Sequence, residues 1–446
     1  MQLPNRLKTS PWLQIGQWMF EPLKYMENAA AKYPDMFTVH WGKNQPIVMV
    51  NHPDLVKELL TNKALSAPGY INEIVKPLVG DNSLLLLSGD HHKRQRKLLM
   101  PPFHGERMFN YGRSICAITE KAISQYPLNQ PFPMRNLTKD ITMDVILQTV
   151  FGLYDSDRYQ KIKQLIGERL QMTSSPLGAM LIFLPRLQKD WGRRSPWGRI
   201  VRKIREIDEL IYAEIRERRH KLDSERTDIL SLLLMARDEN GEGMTDIELR
   251  DELITLLVAG HETTASSLAW GFYWLQKYPQ VGQKLLGELD SLGANPDPMT
   301  IFKLPYLKAV CNEVLRIYPA GILTFPRIVN FPVEIGGFPL QTNTVLIGSI
   351  YLTHNREDLY PEPKQFKPER FLEHQFSPYE FVPFGGGARR CIGYALAELE
   401  LRLVLATIMS GWELELTQKQ VKPKRRGLLL APSGGVEMVI KGRRKQ

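Results

Sequence analysis

Cysteine is scarce in this chain, with only Cys116, Cys311 and Cys391 among 446 residues. Three thiols cannot build a disulfide framework in a chain of this size, which points to a reducing compartment. They also lack the clustered spacing of a ferredoxin, and no flavin motif is present, so electrons for redox chemistry must come from outside. Long apolar runs are missing too: residues 84–87 and 253–259 fall well short of the roughly 18 needed to span a bilayer. The polar, proline-containing stretch at residues 1–6 does not read as a signal peptide. No linker rich in Gly, Ser or Pro and no internal repeat divides the chain. Length alone suggests two or three domains, but these absences lead us to expect one domain over residues 1–446, cytoplasmic and without a membrane anchor.

Positive charge is what the chain has in excess, a formal +10 at pH 7. Basic clusters lie at Lys93, Arg94, Arg96 and Lys97, at Arg193 and Arg194, at residues 422–426 and at residues 443–445. Such clusters are most often solvated surface. No zinc, helix-turn-helix or RNA-binding signature accompanies them, which sets nucleic acid aside. Docking of a small acidic redox protein is the functional alternative, because opposite fields speed encounter.

With 43% hydrophobic residues the chain can bury a large core. Residues 37–41 and 47–50 alternate around Gly42, Lys43 and Asn44 and predict a hairpin. From Pro53 to about residue 280 the pattern is helical, broken by Pro, Gly and Ser clusters. A second β-rich region covers residues 333–350 with a turn at Gly336 and Gly337, and short strands are expected at 412–416 and 436–440. The fold class is therefore mainly α with a smaller β region.

Thr245, with Glu248 three residues on, reads as a capping box. Apolar residues then run almost unbroken to Lys277, Tyr278 and Pro279, a helix of about 50 Å at 1.5 Å per residue that should cross the middle of the molecule. Ala259-Gly260-His261-Glu262-Thr263-Thr264 interrupts it with polar groups whose burial is costly without use. Two readings stand. The patch is a satisfied polar kink, since hydroxyls beside a glycine can open the helix ladder, or it is a proton-delivery station, an acid beside an alcohol.

The most informative stretch is Phe384-Gly385-Gly386-Gly387-Ala388-Arg389-Arg390-Cys391-Ile392-Gly393. It sets one cysteine at the mouth of a helix expected at residues 394–409, where the dipole and free N–H groups favour a thiolate. The glycines let the backbone approach something large and flat, and an arginine two residues before the cysteine can pair with an acid on it. A lone cysteine is usually a small buried hydrophobe, and a Gly-rich run before a helix can cradle phosphate. However, no Gly-Lys-Ser/Thr follows, and no Gly-x-Gly-x-x-Gly opens a strand–helix unit here. The pattern suits haem iron bound through sulfur.

At every fixed position these ten residues match Phe-x-x-Gly-x-Arg-x-Cys-x-Gly, the signature of the cytochrome P-450 family, which the chain resembles from about residue 30 to its end. Residues 259–263 resemble the family's Ala-Gly-x-Asp/Glu-Thr element, Glu313-Val314-Leu315-Arg316 its Glu-x-x-Arg element, and residues 366–371 the segment that supplies Arg370. The resemblance implies the cytochrome P-450 fold, with haem b buried between the long central helix and the cysteine-loop helix. It implies that Cys391 is the metal ligand and that Ala259, Phe384 and Gly393 border the haem. His92, Arg96, Arg327 and Arg389 would hold the propionates, and Glu313, Arg316 and Arg370 would brace the cysteine loop. Thr263 would hold the bound dioxygen while Glu262 relays protons. His261 would be a spacer, and His354 resembles a position often near the haem.

The implied activity is monooxygenation with O2 and electrons from ferredoxin and ferredoxin reductase, or from flavodoxin. Pocket segments implied by the resemblance, at residues 67–79, 256–262, 320–325 and 433–435, are largely apolar. A hydrophobic small molecule is thus the expected substrate, and the resemblance ranks a fatty acid or related lipid first and a terpenoid next. The apolar stretch 177–184 fits ordinary helix packing and an entrance lip equally. The chain looks most similar to cyanobacterial members. A peroxide-driven haem-thiolate enzyme and a non-catalytic haem sensor are the alternatives, and the Glu262–Thr263 pair argues against both.

Overall fold

A computed structural model describes residues 3–444 except 42–45, 104, 106, 155, 175–177, 179, 180, 182–187, 191, 193, 194, 222, 224, 419 and 428. Helix predominates. The helices that position the site are α1 (Pro11–Phe20), α2 (Gly89–Leu99), α3 (Met134–Phe151), α4 (Asp246–Lys277), α5 (Pro305–Ile317), α6 (Ile350–His354) and α7 (Tyr394–Gly411).

Strands β1 (Met36–Val39) and β2 (Ile47–Val50) pair antiparallel, Met36 opposite Val50, as their alternation predicts. The expected turn at Gly42, Lys43 and Asn44 lies outside the described residues, as does the 177–184 stretch apart from Gly178 and Leu181. The hairpin joins β3 (Leu65–Ser66), β5 (Arg327–Val329) and β8 (Val345–Gly348) in a sheet of order β1-β2-β8-β5-β3, with β2 parallel to β8. A second sheet combines β4 (Pro131–Pro133), β12 (Glu437–Arg443) and β9 (Trp412–Leu416). Between β6 (Val333–Ile335) and β7 (Phe338–Leu340), Gly336 and Gly337 have φ of +58° and +78°. That left-handed pair is what a two-residue hairpin turn demands.

The strands β3 and β4 and one further hairpin depart from expectation. β3 and β4 interrupt the helical run that begins at Pro53, because segments of two and three residues are too short to show alternation. The hairpin of β10 (Pro423–Arg426) with β11 (Leu429–Pro432) carries no strand signal, since Pro423 and Lys424 are poor strand formers.

The largest hydrophobic cluster reaches from Leu84 to Ile440 and gathers α3, α4, α5 and α7. α4 is buried along most of its length and packs on both α3 and α7. Its C-terminal half is held by aromatic rings: Trp274 stacks on Phe366 with centroids 5.4 Å apart and planes 5° apart, and Trp270 meets Tyr318 at 4.6 Å. Among the described residues no helix is long and apolar enough to cross a membrane.

Candidate functional site

The N-terminus of α4 is closed as its sequence predicts. The Glu248 N–H donates to Thr245 Oγ1 at 3.2 Å, and the Thr245 N–H donates to Glu248 Oε2 at 2.7 Å. At mid-helix the polar patch leaves the α-helix unbroken. Its hydroxyls bond back along the chain: Thr263 to the Ala259 carbonyl at 2.6 Å, Ser266 to Glu262 at 2.9 Å and Ser267 to Thr263 at 3.2 Å. Ala259 is exposed and Thr263 half-buried, one turn apart, within a helix otherwise covered by protein. On the next face, a Cβ at Gly260 would lie 2.8 Å from Ile146 Cδ1, so glycine there lets α3 approach closely.

Glu262 turns toward α3. It is buried, ion-paired to Arg135, and its Oε1 lies 2.8 Å from Lys139 Nζ. Burial alone would raise its pKa, but Arg135 and Lys139 outweigh that and hold it below the usual carboxylate range. Glu262 is therefore ionised at neutral pH. His261 also faces α3, its Nδ1 2.8 Å from Thr142 Oγ1, and burial lowers its pKa to about 3. The ring is neutral and satisfied. Arg135 and Lys139 were not singled out from the sequence, although their spacing of four on one helix puts them on a common face.

Cys391 sits three residues before the first turn of α7, its backbone N–H donating to the Phe384 carbonyl at 2.9 Å. Protein leaves the residue uncovered, yet burial dominates its titration and pushes the thiol up, against the Gly393 N–H, Arg96 and Arg390, which favour the thiolate. Surface that is uncovered but desolvated lies in an interior recess. Gly387 in the same loop has φ +62°, and a Cβ there would meet the Leu60 carbonyl oxygen at 2.7 Å. The loop can follow this path only with glycine.

The four residues expected at the propionates gather around this loop. Arg389 donates to the carbonyls of Ala67 at 2.7 Å and Leu84 at 2.6 Å, and its guanidinium lies 4.4 Å over Phe325. Arg327 donates to the Phe325 carbonyl at 2.7 Å and the Gly386 carbonyl at 3.2 Å. Burial lowers Arg327 to about 10, and burial with repulsion from Arg327 and Arg96 lowers Arg389 to about 10. His92, buried on α2, is lowered to about 4 by desolvation and by the charges of Arg389 and Arg96. No carboxylate offsets this cluster among the described residues. Such a set of mutually repelling donors fits a flat dianion, and haem with its two propionates answers that description.

Beneath the loop, Glu313 and Arg316 are wholly buried and bidentate, at 2.6 and 2.8 Å. Glu313 Oε1 also accepts from Arg370 Nε at 3.2 Å and the Lys367 N–H at 2.9 Å, while Arg316 donates to the His354 carbonyl at 2.7 Å. His354 Nε2 accepts the Val382 N–H at 2.9 Å. Thus His354 serves the segment leading into the cysteine loop.

Of the basic clusters, two are largely taken up in ion pairs. Lys93 meets Asp90, Arg94 meets Asp238 and Glu248, and Lys97 meets Glu239. Arg443 pairs with Glu120 and Arg444 with Asp290. The cluster at Arg193 and Arg194 lies outside the described residues.

Comparison with known proteins bears on this geometry. The family described as Cytochrome P-450 matches residues 4–438. Cytochrome P-450 135B1 of Mycobacterium bovis is 33% identical over 447 residues, spanning 100% of this chain and 92% of the relative. Cytochrome P-450 138 of Mycobacterium tuberculosis is 32% identical over 446 residues, spanning 99% of this chain and 97% of the relative. The crystal structure of the cytochrome P-450DA heme domain matches with a TM-score of 0.86 over 99% of this chain and 97% of that one, at 22% identity, a likeness of fold alone. These relatives are mycobacterial, and the expected similarity to cyanobacterial members finds no support.

Proposed function

This chain belongs to the cytochrome P-450 family of haem b monooxygenases, and from that premise we propose which of its residues act and on what. Cys391 would hold the haem iron through its sulfur, the thiolate being favoured by the Gly393 N–H, Arg96 and Arg390. His92, Arg96, Arg327 and Arg389 would hold the haem's propionates, and Ala259, Phe384 and Gly393 would border it. The observation that carries this assignment is the gathering of Arg96, Arg327, Arg389 and the neutral donor His92 at the Cys391 loop, with no carboxylate among the described residues to answer them. When bound, haem supplies the oxygen chemistry.

Thr263 presents its hydroxyl on the uncovered side of α4 and holds a proton at Oγ1, steadied by the Ala259 carbonyl. Glu262, ionised between Arg135 and Lys139, is the relay behind it. Glu313, Arg316, Arg370 and His354 hold the loop in position. The core shared by residues from Leu84 to Ile440 supports reading the chain as one unit.

The substrate is a hydrophobic small molecule, a fatty acid or related lipid before a terpenoid. Support comes from the apolar character of Leu256, Val258, Ile322 and Phe325 in the segments assigned to the pocket. Electrons come from a ferredoxin with its reductase, or from a flavodoxin. Two measurements test this. The reduced carbon monoxide complex should show the red-shifted Soret band of a thiolate ligand and lose it in Cys391→His. An unshifted band in fresh wild-type protein would end the assignment. A spin-state titration with fatty acids and terpenes then ranks the substrates, and turnover on peroxide alone would favour the peroxide-driven alternative.

A further inference from the structure

The C-terminal part of α4 carries an oxidisable ring at every fourth position: Trp270, Trp274 and, at the C-cap, Tyr278. That spacing sets them on one stripe, with centroids 6.2 Å apart for the first pair and 5.9 Å for the second. Tyr273 and Tyr318 lie against the same stripe, 4.9 Å from Trp274 and 4.6 Å from Trp270. The stripe leads from interior to surface: Trp270 is fully buried, Trp274 nearly so, and Tyr278 half-buried. Its inner end points back to the recess. Trp270 follows Thr263 by seven residues, which is two turns or roughly 10 Å along the axis and within about 20° of the same face. Tyr318 stands two residues before the 320–325 segment assigned to the pocket.

Packing alone does not account for the choice of residue. The indole N–H groups of Trp270 and Trp274 are buried and have no hydrogen-bond partner. Each costs the desolvation of a donor, and phenylalanine would fill space without that cost. What tryptophan and tyrosine have, and phenylalanine lacks, is an electron that a strong oxidant can remove. With nothing at its nitrogen to take a proton, a buried indole passes an electron and nothing else. Tyr278 reaches solvent, where its hydroxyl can give its proton to water.

We propose that this stripe carries electrons inward, one at a time, from a small thiol at Tyr278 to hydrogen peroxide reduced in the recess. This is a protective peroxidase function separate from hydroxylation, and it rests on the haem assignment above. Each peroxide takes up two electrons and two protons and leaves as two waters, so two passages clear one peroxide. In each passage Trp270 gives an electron to the recess and is refilled from Trp274, which is refilled from Tyr278. The Tyr278 hydroxyl releases its proton to water, and a phenoxyl radical stands at the surface. A thiol restores the phenol with one electron and one proton, and the thiyl radicals of two passages couple to a disulfide. Two thiols and one peroxide thus become one disulfide and two waters.

The test is rapid-freeze electron paramagnetic resonance of the haem-loaded chain mixed with hydrogen peroxide in the absence of substrate. Wild type should show tryptophan and tyrosine radicals. Tyr278→Phe should lose the tyrosine signal and keep the tryptophan one, and Trp270→Phe/Trp274→Phe should lose both. Bleaching of the Soret band by peroxide should be several-fold faster in both variants, and glutathione should slow it in wild type alone. A normal carbon monoxide band in each variant shows that the fold and the sulfur ligand are intact. Wild type that has this band but yields no organic radical overturns the proposal alone, as do variants with wild-type radicals. Wild type without the band overturns the haem assignment and this proposal with it.

Discussion

The backbone N–H of Val382 donates to Nε2 of His354 at 2.9 Å, which joins α6 to the segment that leads into the cysteine loop. His354 is fully buried, and accepting at Nε2 puts its proton on Nδ1, beside the backbone of Leu315 and Arg316. One neutral ring thus bridges the end of α5 and the approach to Cys391. His354→Ala removes the bridge, leaves the Val382 N–H unpaired and opens a cavity. We expect a loss of about 2–4 kcal/mol in denaturant unfolding, with haem content falling in parallel.

Acid should weaken the protein well above the range where carboxylates titrate. His261 and His354 have pKa values of about 3 in the folded chain, against an ordinary 6.5. Below 6.5 the unfolded chain takes up protons that the folded chain refuses. The stability these rings preserve is therefore fully present above 6.5 and lost as pH falls toward 3. Each contributes a slope of up to about 1.4 kcal/mol per pH unit in that window. Glu262, held below its ordinary 4.5, adds its loss only at lower pH. Denaturant titrations at neutral pH and about pH 5 should show the slope, and His261→Gln should flatten part of it.

Glu262→Gln strands Arg135 in the interior and should cost about 3 kcal/mol, as loss of one partner from a buried ion pair does. Thr263→Ala removes only a back-bonded hydroxyl and should change stability by less than about 1 kcal/mol. If the two share proton delivery, both variants should oxidise reductant while releasing more hydrogen peroxide and less product. Equal coupling in wild type and Thr263→Ala would remove Thr263 from the relay.

The Glu313–Arg316 pair predicts asymmetric damage. Arg316→Leu leaves a buried carboxylate with only Arg370 and the Lys367 N–H as partners among the described residues, and a destabilisation of about 3–5 kcal/mol is expected. Arg370→Leu leaves the bidentate pair whole and should cost less. Thermal melts of the two variants decide the order.

At Gly387 a methyl group would meet backbone, the Leu60 carbonyl, in a left-handed conformation. At Gly260 it would meet the movable end of Ile146. Gly387→Ala should therefore cost more than Gly260→Ala, roughly 2 kcal/mol or more against about 1. Haem retention should fall with the first and survive the second.

Local patterns made much of this legible. The capping box at Thr245, the run to Lys277 and the helix after Gly393 each depend on neighbours in sequence, and each is present. The partners of Glu262 were not legible, because Arg135 and Lys139 stand more than a hundred residues away and look like any exposed basic pair. The cluster from Lys93 to Lys97 looked like a free steering surface, but its acids come from residues 90, 238, 239 and 248. Charge read along a chain counts what is present and misses what tertiary contacts cancel. Strands as short as Leu65–Ser66 are defined by the partner that binds them.

The long central helix is clamped at both ends and tied to α3 at its middle through His261 and Glu262. Thr245 and Glu248 lock one terminus, and the rings of Trp270, Trp274, Tyr318 and Phe366 grip the other. A beam held in this way passes movement along its length, and Gly260 and the back-bonded Thr263 lie between the clamps. Substitutions at either distant clamp should thus be felt as a displacement of the Thr263 hydroxyl, so residues with no contact to the reacting centre can still set how well it is aimed.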